Sequence, residues 1–132
     1  MIRIKNYIGG ELKEPISGSY IDNIEPATGE VYSLIPDRDK EDVDLAVKAA
    51  KKASISWSQT SRDERSNILI NIANGIESRM DAFVHAESKD NGKPLSLARK
   101  VDIPRAISNF KFFATSILHF SSESHDMDGY AL

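Results

Sequence analysis

The chain of 132 residues contains no cysteine. That excludes disulfides, thiolate metal sites and a cysteine nucleophile within these residues. Its three histidines, His85, His119 and His125, are too dispersed for a recognisable metal site. No Ser, His and Asp share a spacing that argues for a catalytic triad. No apolar run approaches the roughly 18 residues of a membrane span. The opening "MIRIKNYIGG" has neither a long apolar core nor a small-residue cleavage site, so no signal peptide is expected. Positive charge is also short: 17 Lys and Arg stand against 20 Asp and Glu, for a net charge of −3. The basic residues are scattered among acids, which disfavours nucleic acid as a partner, because neutralising phosphates takes clustered cations. The dinucleotide fingerprint G-x-G-x-x-G is absent. Residues 90–94, "DNGKP", do carry a Gly-Lys pair. A phosphate-cradling loop needs Gly five residues before that second Gly and Ser or Thr after the Lys, whereas Glu87 and Pro94 stand there. There are no internal repeats and no low-complexity segments.

What remains is one-domain length with ordinary globular composition, 40% hydrophobic and 28% charged. Short apolar patches at residues 3–8, 20–24 and 31–35 predict two or three strands joined by turns, with Thr28-Gly29 as the tight point. A first helix starts near Asp39, which caps it, with Glu41 and Asp42 at the positive end of the dipole. Val43, Ala46, Val47, Ala50 and Ala53 recur at helical spacing and form its apolar stripe. Ser61 and Glu64 form a capping box that opens a second helix. Its apolar positions are Ile68, Ile72, Ile76 and Phe83, with Leu69 and Met80 beside them. Gly75 weakens that helix by roughly 1 kcal/mol against Ala, and a break is expected near Asp81. Asn91-Gly92 followed by Pro94 is a helix stop. After a short turn at residues 95–100, Asp102 is expected to cap a last helix with Pro104 in its first turn. Ile103, Ala106, Ile107, Phe110, Phe113, Ala114 and Ile117 form its broad apolar face. Ser121 to Asp128 reads as polar and irregular. After Gly129, Tyr130 looks like the opening of a strand, so the chain reads as cut rather than finished.

Arg105, Asn109, Phe112 and Ser116 follow a separate stripe on the last helix. An arginine, an amide and an aromatic at one-turn intervals suit a planar carboxylate with a carbon chain packed behind it. The pattern alone favours the plainer reading, a solvated or structurally paired arginine on an exposed face.

Five segments then come into register: "NYIGGEL", "NIEPATGEVY", "DVDLAVKAAKKA", "ERSNILINIANGIE" and "AESKDNGKP". Their order and spacing resemble the N-terminus of NAD(P)-dependent aldehyde dehydrogenases, over about Asn6 to Leu132. The last third, "AESKDNGKPLSLARKVDIPRAISNFKFFATSILHF", is similar to the group that oxidises 2-aminomuconate and 2-hydroxymuconate semialdehydes. The resemblance implies an α/β fold of which residues 1–132 are the N-terminal part: strands about 3–35, helices about 39–119, a polar tail 121–132. On that reading the chain is mostly helical with a short β-hairpin, and the parallel sheet lies largely beyond it.

The resemblance also implies a function and its residues. The full enzyme oxidises an aldehyde, a muconic semialdehyde, to the acid with NAD or NADP. Arg105 holds a substrate carboxylate, and Asn109 and Phe112 belong to the same wall. A monovalent cation sits near Asn23, Ile24 and Asp90, where oxygen ligands suit a hard ion. The thiol nucleophile, the general base and the nucleotide contacts lie beyond Leu132, so the chain alone is expected to be inactive. Its partners are the aldehyde substrate and the remainder of the enzyme chain, in a cytoplasmic homo-oligomer. Gly75 departs from the family, in which that helix is usually more regular. The competing expectation is a non-catalytic helical module that binds a partner.

Overall fold

The computed structural model describes residues 1–37 and 39–123, with the backbone of Asp126–Met127 and Tyr130–Ala131. The element order is β1 (Ile2–Arg3), β2 (Asn6–Ile8), β3 (Glu11–Lys13), β4 (Tyr20–Glu25) and β5 (Glu30–Pro36), then α1 (Lys40–Trp57), α2 (Arg62–Glu77) and α3 (Met80–Asn91). A short turn α4 (Leu95–Leu97) and a π-helical turn at Ala98–Asp102 lead into α5 (Ile103–His119). Strands β6 (Asp126–Met127) and β7 (Tyr130–Ala131) pair antiparallel. The strand expected at Tyr130 is thus present, but its partner falls in a stretch read as irregular. His125, Gly129 and Leu132 lie outside the described residues.

Three strands form one sheet in the order β1-β5-β4. Strands β4 and β5 pair antiparallel around the Thr28-Gly29 turn, where Gly29 N–H donates to the Glu25 carbonyl at 2.8 Å. Strand β1 pairs parallel with β5, Ile2 opposite Ser33. A separate hairpin joins β2 to β3 through Gly9-Gly10. Strand β3 went unforeseen because Glu11, Leu12 and Lys13 are all exposed, so no buried face imposes alternation on the sequence.

Local chemistry sets the helix ends. Asp39 accepts from the N–H groups of Glu41 and Asp42 at 3.0 and 3.1 Å. The Ser61–Glu64 capping box is formed reciprocally. The break falls between Glu77 and Met80. Helix α3 stops at Gly92, whose φ of 75° is left-handed, and a Cβ there would come within 3.0 Å of Pro26 Cβ. Gly92 therefore serves both the helix stop and a close approach to the β4–β5 turn.

Asp102 does not cap α5. It has helical angles and makes no side-chain cap bond, because helical backbone already runs through it from Leu95. In the π-helical turn Ile103 N–H reaches the Ala98 carbonyl, five residues back. The wider turn relieves the clash that Pro104 would impose on regular α geometry.

Helices α2 and α5 run antiparallel: at the start of α2 Arg62 donates to the Phe120 carbonyl just past α5 (2.6 Å), and at its end Glu77 accepts from Lys111 in the middle of α5 (2.8 Å). Ala73, Val84, Ala98, Ile103 and Ile107 form the core, with Ile76, Met80 and Phe110 packed against it. Small side chains hold many inner positions: Ser66, Ala73, Ala98 and Ala114 are buried. Several expected core residues are not. Ile68, Ile72 and Phe83 are exposed, as are Val43 and Val47 on α1 and Phe113 on α5. The chain exposes 9942 Å², about 3,000 Å² more than the roughly 6,900 Å² of a compact monomer of this mass.

Candidate functional site

Helix α5 carries the first site. Its inner arc, Ile103, Ile107 and Ala114, is buried. At roughly 100° per residue, Arg105, Asn109 and Phe112 project from the opposite side, and all three are exposed. The Phe112 and Phe113 rings meet edge to face, with centroids 5.2 Å apart and planes at 77°. Guanidinium, amide and aromatic therefore share one rigid helix face, anchored by the packing of its opposite arc on α2. Among the described residues no carboxylate lies within ion-pair distance of Arg105.

The carboxylates around α5 have other partners. Lys93 Nζ lies 3.1 Å from Asp102 Oδ2 and 3.5 Å from Glu87 Oε1. The Asp102 bond, followed by Glu87, holds the Lys93 ammonium above its ordinary range. Arg99 pairs with Asp81 at 2.6 Å.

The second site joins the sheet to the end of α3. Between Asn23 and Ile24 the β4–β5 register shifts. Asn23 faces Ser33 and Ile24 faces Val31, which leaves Tyr32 as the extra residue of a bulge. The Tyr32 hydroxyl donates to Asp90 Oδ1 at 2.6 Å. The Asn23 amide donates to Tyr32 Oη at 2.9 Å, Ser33 Oγ at 3.1 Å and Asp90 Oδ1 at 3.3 Å. These bonds, Tyr32 first, keep the Asp90 carboxyl below the usual aspartate range. The bond to Asp90, with burial and its negative charge, pushes the Tyr32 hydroxyl up. Lys89 Nζ lies 5.0 Å from the Tyr32 ring centre and 3.7 Å from Glu25 Oε2.

Asn23 and Asp90 therefore come together, with Ile24 adjacent in the chain. An ionised Asp90 suits a hard cation. The Asn23 amide N–H groups do not, because they donate to Tyr32, Ser33 and Asp90. Among the described residues no three His, Cys, Asp or Glu cluster for a metal. The sequence reading missed Tyr32 and Ser33; the signal available was a tyrosine beside a small polar residue within a strand facing Asn23. His85 is exposed, its Nδ1 2.7 Å from the Asp81 carbonyl, and His119 is exposed at the end of α5.

Known proteins resemble this arrangement throughout its length. The model of the aldehyde dehydrogenase family matches residues 13–131. The 2-aminomuconic semialdehyde dehydrogenase of Homo sapiens is 48% identical over 128 residues, covering 97% of this chain and 26% of that protein. The Danio rerio protein of the same name is 49% identical over 125 residues, covering 95% and 25%. Among solved structures, PnpE in complex with nicotinamide adenine dinucleotide superposes with a TM-score of 0.92 at 30% identity, covering 95% of this chain and 26% of its own. The chain thus spans about a quarter of the length of the curated relatives it matches.

Proposed function

The chain belongs to the aldehyde dehydrogenase family, and on that footing we propose that it is the N-terminal portion of an oxidoreductase acting on a muconic semialdehyde. The enzyme would oxidise the aldehyde to the carboxylic acid, with water supplying the second oxygen and a bound NAD or NADP serving as the hydride acceptor. The α/β fold of the family accommodates these residues as helices and short strands around α2 and α5. The thiol nucleophile and the nucleotide contacts belong to further chain that also covers the exposed arcs of α1 and α2. The reading extends to a cytoplasmic homo-oligomer.

One observation carries the substrate assignment. Arg105 is exposed and, among the described residues, has no carboxylate partner, on the same face as Asn109 and Phe112. A substrate bearing both an aldehyde and a carboxylate would place its anion on the guanidinium and its unsaturated chain along Phe112. Asn109 would orient the carboxylate through its amide N–H. Support for the substrate class comes from relatives at 48–49% identity that carry the 2-aminomuconic semialdehyde name.

Arg105→Ala tests it in a dehydrogenase that carries this segment. Loss of a charge-assisted contact lowers kcat/KM for a carboxylate-bearing semialdehyde about 10- to 100-fold. A neutral aldehyde of similar length changes by less than about twofold. Equal losses on both substrates would remove the role given to Arg105. The 132 residues alone are expected to reduce no NAD with any aldehyde; a reproducible NADH signal from the purified chain contradicts the proposal.

Asp90, with the carbonyl oxygens of Asn23 and Ile24, is the proposed seat of a monovalent cation. The ion would tie the β4–β5 bulge to the end of α3 and would take no part in the oxidation.

A further inference from the structure

We propose that Lys93 is a positioning residue for the anion site: by holding the Asp102 carboxylate, it keeps Arg105 free for a substrate carboxylate. The inference rests on the reading of Arg105 given above. Asp102 precedes Arg105 by three residues and has helical angles, φ −70° and ψ −51°. Residues at that spacing are neighbours on a helix surface, and an aspartate there is a natural partner for the arginine. Yet Asp102 is bonded to Lys93 instead.

Of the other acids on the packed elements, Glu64 closes the capping box with Ser61 and Asp63 lies beside Arg62, at the end of α2 that meets Phe120 and is remote from Arg105. Glu77 on α2 takes Lys111, while on α3 Asp81 takes Arg99, Glu87 takes Lys93 and Asp90 takes Tyr32. Further along α5, positions three and four residues after Arg105 are Ser108 and Asn109, which carry no charge. Asp102 is therefore the acid placed to quench Arg105, and Lys93 is what occupies it. The fold delivers Lys93 from outside the helix. Gly92 stops α3, and the chain turns back so that Lys93 meets both Glu87 on the helix it has left and Asp102 on the one it enters.

Lys93→Gln in a dehydrogenase that carries this segment releases Asp102 toward Arg105. We expect kcat/KM for the carboxylate-bearing semialdehyde to fall about two- to fivefold, through KM, as for gaining a competing surface ion pair. Turnover of a neutral aldehyde stays unchanged. Adding Asp102→Asn to Lys93→Gln removes the competitor and restores the original preference. Asp102→Asn alone leaves Arg105 free and the preference intact, which provides a test should Lys93→Gln fold poorly. In an Arg105→Ala background Lys93→Gln has no further effect on the preference.

The outcomes separate the two readings. If Arg105→Ala itself leaves the preference unchanged, the reading of Arg105 fails. If Arg105→Ala lowers it and Lys93→Gln does not, only the role of Lys93 is refuted. A Lys93→Gln loss that persists without Arg105 also refutes it, because the lysine would then act through its own charge. So does an Asp102→Asn loss as large as that of Lys93→Gln.

Discussion

Gly92 and Gly29 share a backbone angle and differ in what surrounds them, so together they isolate the cost of one close approach. Their φ values are 75° and 74°. A Cβ at Gly29 meets nothing within 4 Å, whereas one at Gly92 meets Pro26 Cβ at 3.0 Å and the Ala27 nitrogen at 3.8 Å. Alanine at either site carries the left-handed strain of an L-residue, about 1–2 kcal/mol. At Gly92 it must also move the β4–β5 turn, which overpacking data place at about 1–3 kcal/mol more. Gly92→Ala should therefore cost about 2–5 kcal/mol, equivalent to roughly 7–18 °C in Tm for this length, and Gly29→Ala about half as much or less. Urea titration followed by far-UV circular dichroism on the two variants measures the difference. Pro26→Gly removes the clashing carbon and should rescue Gly92→Ala but not Gly29→Ala. Equal costs at the two glycines, or no rescue, would mean that α3 does not close on the turn as described.

The bond from Tyr32 to Asp90 makes stability pH-dependent. Asp90 titrates below its ordinary 3.8, so its contribution is present above that value and is lost as the pH falls through the lowered midpoint. Tyr32 titrates above its ordinary 10.0, so its contribution is present below 10.0 and is lost as the pH rises past the raised midpoint. Tyr32→Phe should accordingly cost stability at neutral pH and progressively less in acid; a cost independent of pH would refute the linkage. The cation proposal predicts that sodium or potassium raises Tm over choline in a dehydrogenase carrying this segment, and that Asp90→Asn abolishes the difference. An identical salt response in wild type and variant would exclude Asp90 as a ligand. Ala73 is fully buried and Ile72 is exposed, so Ala73→Val should destabilise the 132-residue chain by about 1–3 kcal/mol, and Ile72→Ser by less than about 1 kcal/mol. The reverse order would show that the opposite arc of α2 faces α5.

The helix ends were legible because their chemistry is local. Asp39, Ser61 with Glu64, and Gly92 each act within four residues of the backbone groups they satisfy. The stripe of Arg105, Asn109 and Phe112 was legible for a similar reason, since helical period alone puts them on one face. What the sequence did not disclose depends on segments meeting from a distance. Asp102 has the composition of a cap, but helical backbone already runs through it, and Lys93 claims its carboxylate from a loop nine residues earlier. Tyr32 reaches Asp90 across 58 residues only because a bulge turns the strand. No short-range pattern encodes either meeting.

The apolar stripes show what periodicity measures. On α2, Ile68 and Ile72 announce a helix with an oily arc, yet Ser66 and Ala73 are the residues buried in the chain. Close crossing of two helices favours small side chains at the contact, while bulky ones fit where a neighbour stands further off. The period therefore identified the element, and the size of the residues decided which arc met α5. The bulky arc is the more hydrophobic and also the less covered, as are Val43 and Val47 on α1. An excess exposure of about 3,000 Å² exceeds what one standard protein interface buries across both partners. Relatives about four times as long have ample chain to cover it. On the proposed function, then, the bulky apolar arcs of α1 and α2 face chain outside residues 1–132, and that is why their periodicity marked the helices without marking the core.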